Sequence, residues 1–146
     1  MFKHILIASD GSDHALKAAQ VAGEIAKRFG SAVTLLTVFS PPVTPMPLIG
    51  GSEATLDPAA IARYGEEIQE AVERRTGEVF EEMGVAYQVR REVGYPADMI
   101  IGVAGRANVD LIVMGSRGLA GFQSFLLGSV SDRVLHHAHC PVMIIK

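Results

Sequence analysis

The chain has 146 residues, enough for one domain with a sizeable core. The 49% hydrophobic and 20% charged residues are ordinary for a globular protein, and a formal net charge of −3 with no basic block argues against nucleic acid as a main partner, since binding a phosphate backbone needs a positive face. A single cysteine, Cys140, excludes an intramolecular disulfide, and no apolar run approaches the ~18 residues of a membrane span.

The start, Met1-Phe2-Lys3-His4-Ile5, runs directly into a strand-like stretch without the features of a signal peptide, so a cytoplasmic, reducing location is expected. His4 to Ala8 reads as the first strand. Asp10-Gly11-Ser12-Asp13 is the turn that ends it. Ser12 suits the cap of the next helix and Asp13 its positive end. Ala15, Ala18, Ala19, Ala22, Ile25, Ala26 and Phe29 recur at helical spacing, and the alanines predict close packing on a sheet. Gly30 is the expected stop.

Ala32 to Phe39 is β-branched and apolar and reads as the second strand. Ser40 to Asp57 then holds Pro41, Pro42, Pro45, Pro47 and the pair Gly50-Gly51. Such a stretch inside a compact domain predicts a lid, a binding loop or a disordered segment, and as a lid it is expected to be mobile without ligand and ordered, at least in part, with it. A helix resumes at Pro58 with Asp57 as its cap. Its buried face is expected at Ile61, Tyr64, Ile68, Val72, Val79 and Met83. The polar remainder, Glu66, Glu67, Glu70, Glu73, Arg74 and Arg75, is expected in solvent, and Gly84 ends the helix. Val85 to Val93 alternates as a third strand. Pro96 to about Arg106 is a third helix with Met99, Ile100 and Val103 inward.

The most informative stretch follows, Asp110 to Ser131. Leu111-Ile112-Val113-Met114 is a short buried strand. Gly115, Gly118, Gly121 and Gly128 follow it, and a helix starts at Ser129-Val130-Ser131. A strand, a glycine-rich loop and a helix N-terminus together make a phosphate-holding arrangement. Glycine lets the backbone approach an anion, and the first helical turn offers unpaired N–H groups and partial positive charge. The hydroxyls of Ser129 and Ser131 can add donors. The loop is not a P-loop, because no Lys follows Gly128. Nor is it a dinucleotide fingerprint, because Ala8-Ser9-Asp10-Gly11-Ser12 follows the first strand.

Val142 to Ile145 is the fifth strand. Strands and helices alternate throughout, with no internal repeat and no linker, so residues 1–146 form one α/β domain with a doubly wound parallel sheet and helices on both faces. Ligands in such sheets bind at the carboxyl ends of the strands, where the order reverses. The turn after strand one and the loop after strand four meet in one crevice if those strands are neighbours. That favours order 3-2-1-4-5 over 2-1-3-4-5.

The spacing Gly115-x2-Gly118-x9-Gly128-Ser129 resembles the nucleotide signature of the universal stress protein family, in its ATP-binding branch. The likeness extends from Ile5-Leu6-Ile7-Ala8 with Asp10-Gly11-Ser12 to the last strand. It implies the same 3-2-1-4-5 order and a homodimer through Val142 to Ile145, an apolar edge that invites pairing. It also implies that ATP is bound, with Mg2+ or Mn2+ through its phosphates. Carried over position by position, Gly115 sits by the ribose, while Gly118, Gly128, Ser129 and the Val130 N–H hold the phosphates. Asp10 contacts the nucleotide through ribose or metal, or is only a turn residue. Backbone near Val38 reads the adenine edge, and side chains of Thr37, Val38 and Phe39 wall the base. Ser9 and Met114 complete the candidate set.

Arg117, inside the loop, is either a surface arginine or a phosphate contact. Some relatives carry basic residues further along, where this chain has Gln123 and Ser124 beside Phe122 and Phe125, so phosphate affinity rests on backbone donors. A Cβ at Gly128 is expected to project toward the anion or strain the turn. His136, His137, His139 and Cys140 tempt a metal reading, with His136 and His139 on one helix face, but they are better read as residues suited to a helix end. No catalytic set can be argued from spacing. The expected function is a nucleotide-dependent regulatory switch in stress response. The alternatives are a slow ATPase or nucleotidyl-transfer enzyme using Asp10 and the metal, or an interaction module that does not use nucleotide.

Overall fold

The structure, a computed structural model, describes residues 1–42, 57–119 and 127–146. The expected lid from Ser40 to Asp57 falls almost wholly outside these residues, as do Gly121, Phe122, Gln123, Ser124 and Phe125.

In chain order the elements are β1 (His4–Ala8), α1 (Asp13–Phe29), β2 (Ala32–Phe39), α2 (Pro58–Met83), β3 (Gln88–Val93), α3 (Pro96–Arg106), β4 (Leu111–Gly115), α4 (Ser129–His137) and β5 (Val142–Ile145). All neighbouring strands are parallel, in the order β3-β2-β1-β4-β5. The order reverses between β1 and β4, whose carboxyl ends meet at the Ala8–Met114 pair.

Period-two alternation divides the sheet into two faces. Ile5, Ile7, Val33, Leu35, Leu111 and Val113 pack under α1 and α2, against Ala18, Ala19, Ala22, Ala26 and Phe80. Leu6, Ala8, Leu36, Ile112 and Met114 pack under α3 and α4, against Ala97, Ile100, Val103, Ala104 and Val134. Because both faces are covered, the central strands read as unbroken apolar runs.

Local chemistry sets the helix ends. Ser12 Oγ accepts the Ala15 N–H at 3.3 Å, Asp57 Oδ1 accepts the Ala59 N–H at 3.1 Å, and Gly30 and Gly84 stop α1 and α2. The third strand is shorter than its alternation predicts and begins at Gln88. Val85 is buried ahead of it, in the connection from α2.

Two helix faces depart from the sequence expectation. Phe29, at the end of α1, is half exposed and stacks edge-on with Phe2, their ring centroids 5.7 Å apart. In α2 the buried positions are Gly65, Gln69, Thr76, Gly77 and Phe80, whereas Tyr64 is 60% exposed. Gly65 lies against the ring of Phe39 and Gly77 against Tyr87, so aromatic side chains from β2 and from just ahead of β3 occupy the space that α2 leaves. Val79 and Met83 of the expected face pack against the core that Phe80 enters, whereas Tyr64 and Ile68 are exposed and the small or polar residues Gly65, Gln69, Thr76 and Gly77 fill the rest of the seam. Glu73 is also not a solvated residue. It accepts from the Thr37 hydroxyl at 3.3 Å and pairs with both ends of the Arg91 guanidinium at 2.6 and 2.7 Å. Its hydrogen bond is the main reason the Arg91 pKa lies above its ordinary value.

Candidate functional site

Two turns leave the sheet at the reversal point, residues 9–12 after β1 and residues 116–119 after β4, and hydrogen bonds join them. Asp10 accepts the Ser12 N–H through Oδ1 and the Leu119 N–H through Oδ2, both at 3.0 Å. The Ser12 hydroxyl donates to the Arg117 carbonyl at 3.4 Å, and the Ser116 hydroxyl lies 3.0 Å from His14 Nδ1. Ser9 Oγ pairs with Thr76 Oγ1 at 2.7 Å and accepts the Gly11 N–H at 3.1 Å. Gly11 turns the chain at φ +76°, a conformation that side chains rarely adopt.

The far end of the glycine loop returns to the same place. The Ser116 carbonyl accepts the Gly128 N–H at 2.8 Å and the Ser131 hydroxyl at 3.0 Å. Gly128 is the N-cap of α4 at φ −63°, ψ 154°, an extended conformation open to any residue. A Cβ there would lie 3.3 Å from the Ser116 carbonyl oxygen, so it would crowd the loop's own closure rather than strain the turn. The Gly128 N–H is already used inside the protein. The unpaired donors of the first helical turn are therefore those of the residues that follow it, Ser129 and Val130 among them. Ser131 does not supply a free hydroxyl either. It is buried, with Oγ on the Ser116 and Gly128 carbonyls.

Close approach explains two other glycines. A Cβ at Gly115 would stand 2.8 Å from His14 Cβ and 2.9 Å from its carbonyl carbon, so β4 meets the first turn of α1 without room for a side chain. A Cβ at Gly118 would stand 2.6 Å from Asp10 Oδ2.

Between the two turns and α4 lies a cavity of about 610 Å³. Ser9, Asp10, Val38, Met114, Gly115, Arg117, Gly118, Gly128, Ser129 and Val130 all line it, so the structure brings these ten candidate residues together. Leu36, Val38, Ile100 and Met114 make an apolar wall, and the start of α4 with Arg117 makes a polar end. The cavity can thus take a ligand with one flat apolar part and one anionic part. Of the three β2 residues expected to wall a base, only Val38 faces this cavity. Thr37 and Phe39 line a second cavity of about 440 Å³ beside Tyr64, Ile68 and Gln69 of α2.

Sequence reasoning missed His14, Ser116, Leu119 and Thr76. Ser116 sits inside the glycine motif, and its small polar side chain is the one local signal. The others act through partners 67 to 109 residues away, which no spacing reveals. At the other end of α4 the expected shared face of His136 and His139 does not form, because the helix ends at His137. His136 and His137 instead bond back to the Asp132 and Arg133 carbonyls at 2.8 and 2.9 Å. Among the described residues no group of three or more His, Cys, Asp or Glu side chains has the arrangement of a metal site. No helix among them is long and apolar enough to cross a membrane.

Sheet order, reversal point and loop define the class: a parallel α/β domain whose glycine loop and helix N-terminus form the polar end of a cavity. The model of the universal stress protein family matches residues 1–146, and the chain belongs to that family. It is 38% identical to the universal stress protein MJ0531 of Methanocaldococcus jannaschii, over all of this chain and 83% of that protein. It is 34% identical to a universal stress protein of Thermus aquaticus, over the full length of both. Among solved structures it is similar to the universal stress protein UspA from Lactobacillus plantarum, with a TM-score of 0.77 and 25% identity over 99% of this chain and 98% of that one. It is also similar to a universal stress protein in complex with cAMP, with a TM-score of 0.74 and 25% identity over 99% and 97% of the two chains.

Proposed function

We propose that this chain binds ATP in the cavity at the β1–β4 reversal, and acts in the cytoplasm as a nucleotide-dependent regulatory switch in stress response. The observation that carries the reading is the convergence of Ser9, Asp10, Val38, Met114 and the glycine loop on one cavity with a helix N-terminus at its polar end. A structural relative described as bound to cAMP supports an adenine nucleotide as the ligand class. In this reading the base lies along Val38 and Met114, and the phosphates meet the N–H groups of Ser129 and Val130 with Arg117 beside them. Mg2+ or Mn2+ is carried in on the phosphates. Its contribution when bound is to neutralise their charge, since Arg117 is the one cation among the described lining residues.

Holding is favoured over cleaving. Both oxygens of Asp10, the acidic residue of the described lining, are engaged by backbone N–H groups. Among the described lining residues no second carboxylate, histidine or lysine stands with it to activate a water. Binding without turnover suits a switch, whose readout is the state of the loop.

Native mass spectrometry of the protein as purified, followed by calorimetric titration with ATP and magnesium, tests the reading. One nucleotide per chain and negligible single-turnover hydrolysis are expected. No heat and no mass shift with ATP, ADP, AMP or cAMP at millimolar concentration would overturn the nucleotide, and fast hydrolysis would overturn the switch.

A further inference from the structure

Ser116 is 4% exposed, and each of its polar groups has a partner. Its N–H donates to the Ile145 carbonyl at 2.7 Å, its carbonyl accepts from Gly128 at 2.8 Å and from Ser131 at 3.0 Å, and its hydroxyl meets His14 Nδ1 at 3.0 Å. One residue therefore ties the end of β4 to the end of β5, the start of α4 and the start of α1. The two ends of the glycine loop, residues 116 and 128, are held together through it.

His14 does not line the cavity. It is the second residue of α1, half-buried, with its backbone and Cβ close against Gly115 and its ring nitrogen on the Ser116 hydroxyl. We propose that His14 is a positioning residue for the phosphate-binding end of the cavity. The ring fixes the Ser116 hydroxyl, the ordered Ser116 presents its carbonyl to Gly128 and Ser131, and the first-turn N–H groups of α4 are thereby aimed at the ligand. A buried hydroxyl that loses its partner turns to another acceptor or draws in water, and either disturbs the carbonyl beside it. The inference rests on the nucleotide reading for its effect on affinity, but not for its effect on the loop.

Three single variants and the double variant of His14→Leu with Ser116→Ala test it, each in the full chain. His14→Leu keeps bulk and removes the ring nitrogen, His14→Asn keeps a polar atom at the δ position, and Ser116→Ala removes the other partner. Without nucleotide, exchange of the Gly128 amide should quicken about three- to tenfold in His14→Leu and stay near wild type in His14→Asn, the range expected for one neutral hydrogen bond. With ATP and magnesium, His14→Leu and Ser116→Ala should each bind about three- to tenfold more weakly, His14→Asn within about twofold of wild type, and the double variant no worse than either single one. Wild-type affinity in His14→Leu, no rescue by Asn, or fully additive losses would overturn the proposal. If wild type itself binds no nucleotide, the underlying reading falls, and an unchanged Gly128 amide in His14→Leu would then overturn the positioning role as well.

Discussion

Gly128→Val is the most direct perturbation of the loop. The backbone at 128 sits at φ −63°, so a valine meets no conformational penalty there. The conflict is local. A Cβ would stand 3.3 Å from the Ser116 carbonyl oxygen, 3.6 Å from Arg117 Cα and 3.6 Å from Ser131 Oγ. Valine adds two methyl groups to that crowded spot, where the Gly128 N–H and the Ser131 hydroxyl share one acceptor. On the proposed function, prising that closure open should displace the first turn of α4 and lose one or two charge-assisted bonds to phosphate, each about 1.5–3 kcal/mol. One lost bond is already about tenfold to more than a hundredfold in affinity. Calorimetric titration with ATP and magnesium should show Gly128→Val far weaker than wild type and Gly128→Ala in between. Ser129→Ala should be only slightly weakened, because the N–H at 129 remains. Circular dichroism should be unchanged, since β1 and β4 lie below the loop. Equal affinity across the series would mean that the closure of residue 128 on Ser116 does not place the phosphate donors.

Gly115→Ala should destabilise the fold by about 1–3 kcal/mol, because the new methyl meets His14 backbone at 2.9 Å, with a thermal midpoint lower by roughly 2–4 °C per kcal/mol; an unchanged midpoint would show that α1 yields freely. Gln69→Leu should cost about 1–3 kcal/mol in denaturant unfolding, since the buried amide donates to the Thr37 carbonyl at 3.2 Å and the Glu92 carbonyl at 3.0 Å, and a neutral outcome would make that bridge dispensable. We further propose a homodimer through β5. The Pro141 and Ile145 carbonyls face β4, so Val142 and Ile144 present their backbone to the open edge, and Ile144→Pro should yield a monomer by sedimentation where wild type is a dimer. Burial pushes the Cys140 thiol above its ordinary pKa, so its alkylation rate should climb with pH only beyond the range of a small free thiol; a midpoint at or below that range would contradict the burial.

Much of this fold is legible because the central strands are short, apolar and bounded by strong punctuation. The alternation of Ile5 and Ile7 with Leu6 and Ala8 serves two different cores. The reversal between β1 and β4 follows from asking where two polar turns can meet. The α2 face was not legible in the same way. Of its expected stripe Val79 and Met83 reach the core but Tyr64 and Ile68 do not, and Gly65, Gln69, Thr76 and Gly77 are buried beside Phe80 instead. A helix that meets aromatic side chains from a sheet needs small residues at the seam, and small residues leave no hydrophobic signal. The polar bonds of the site were hidden for another reason. Ser9 with Thr76 and His14 with Ser116 join residues far apart in the chain, and each member alone is an ordinary helix or loop residue.

The same distinction separates what the glycine motif encodes from what its neighbours encode. Gly115 and Gly118 leave space for the first turn of α1 and for Asp10, and Gly128 leaves space for the loop's own closure. These residues shape the frame, and their spacing is visible because glycine is a distinctive letter. The bonds that hold the frame come from Asp10, Ser12, His14 and Ser116, whose chemistry is turned inward, toward backbone groups and one another. In the proposed reading, such a site has its side chains spent on geometry and its recognition of an anion left to backbone N–H groups at the start of α4. Substitutions of the inward side chains should therefore act on affinity through the loop's order, visible as faster amide exchange before any ligand is added. Substitutions at Arg117, the cation of the described lining, should change affinity and its salt dependence and leave that exchange alone.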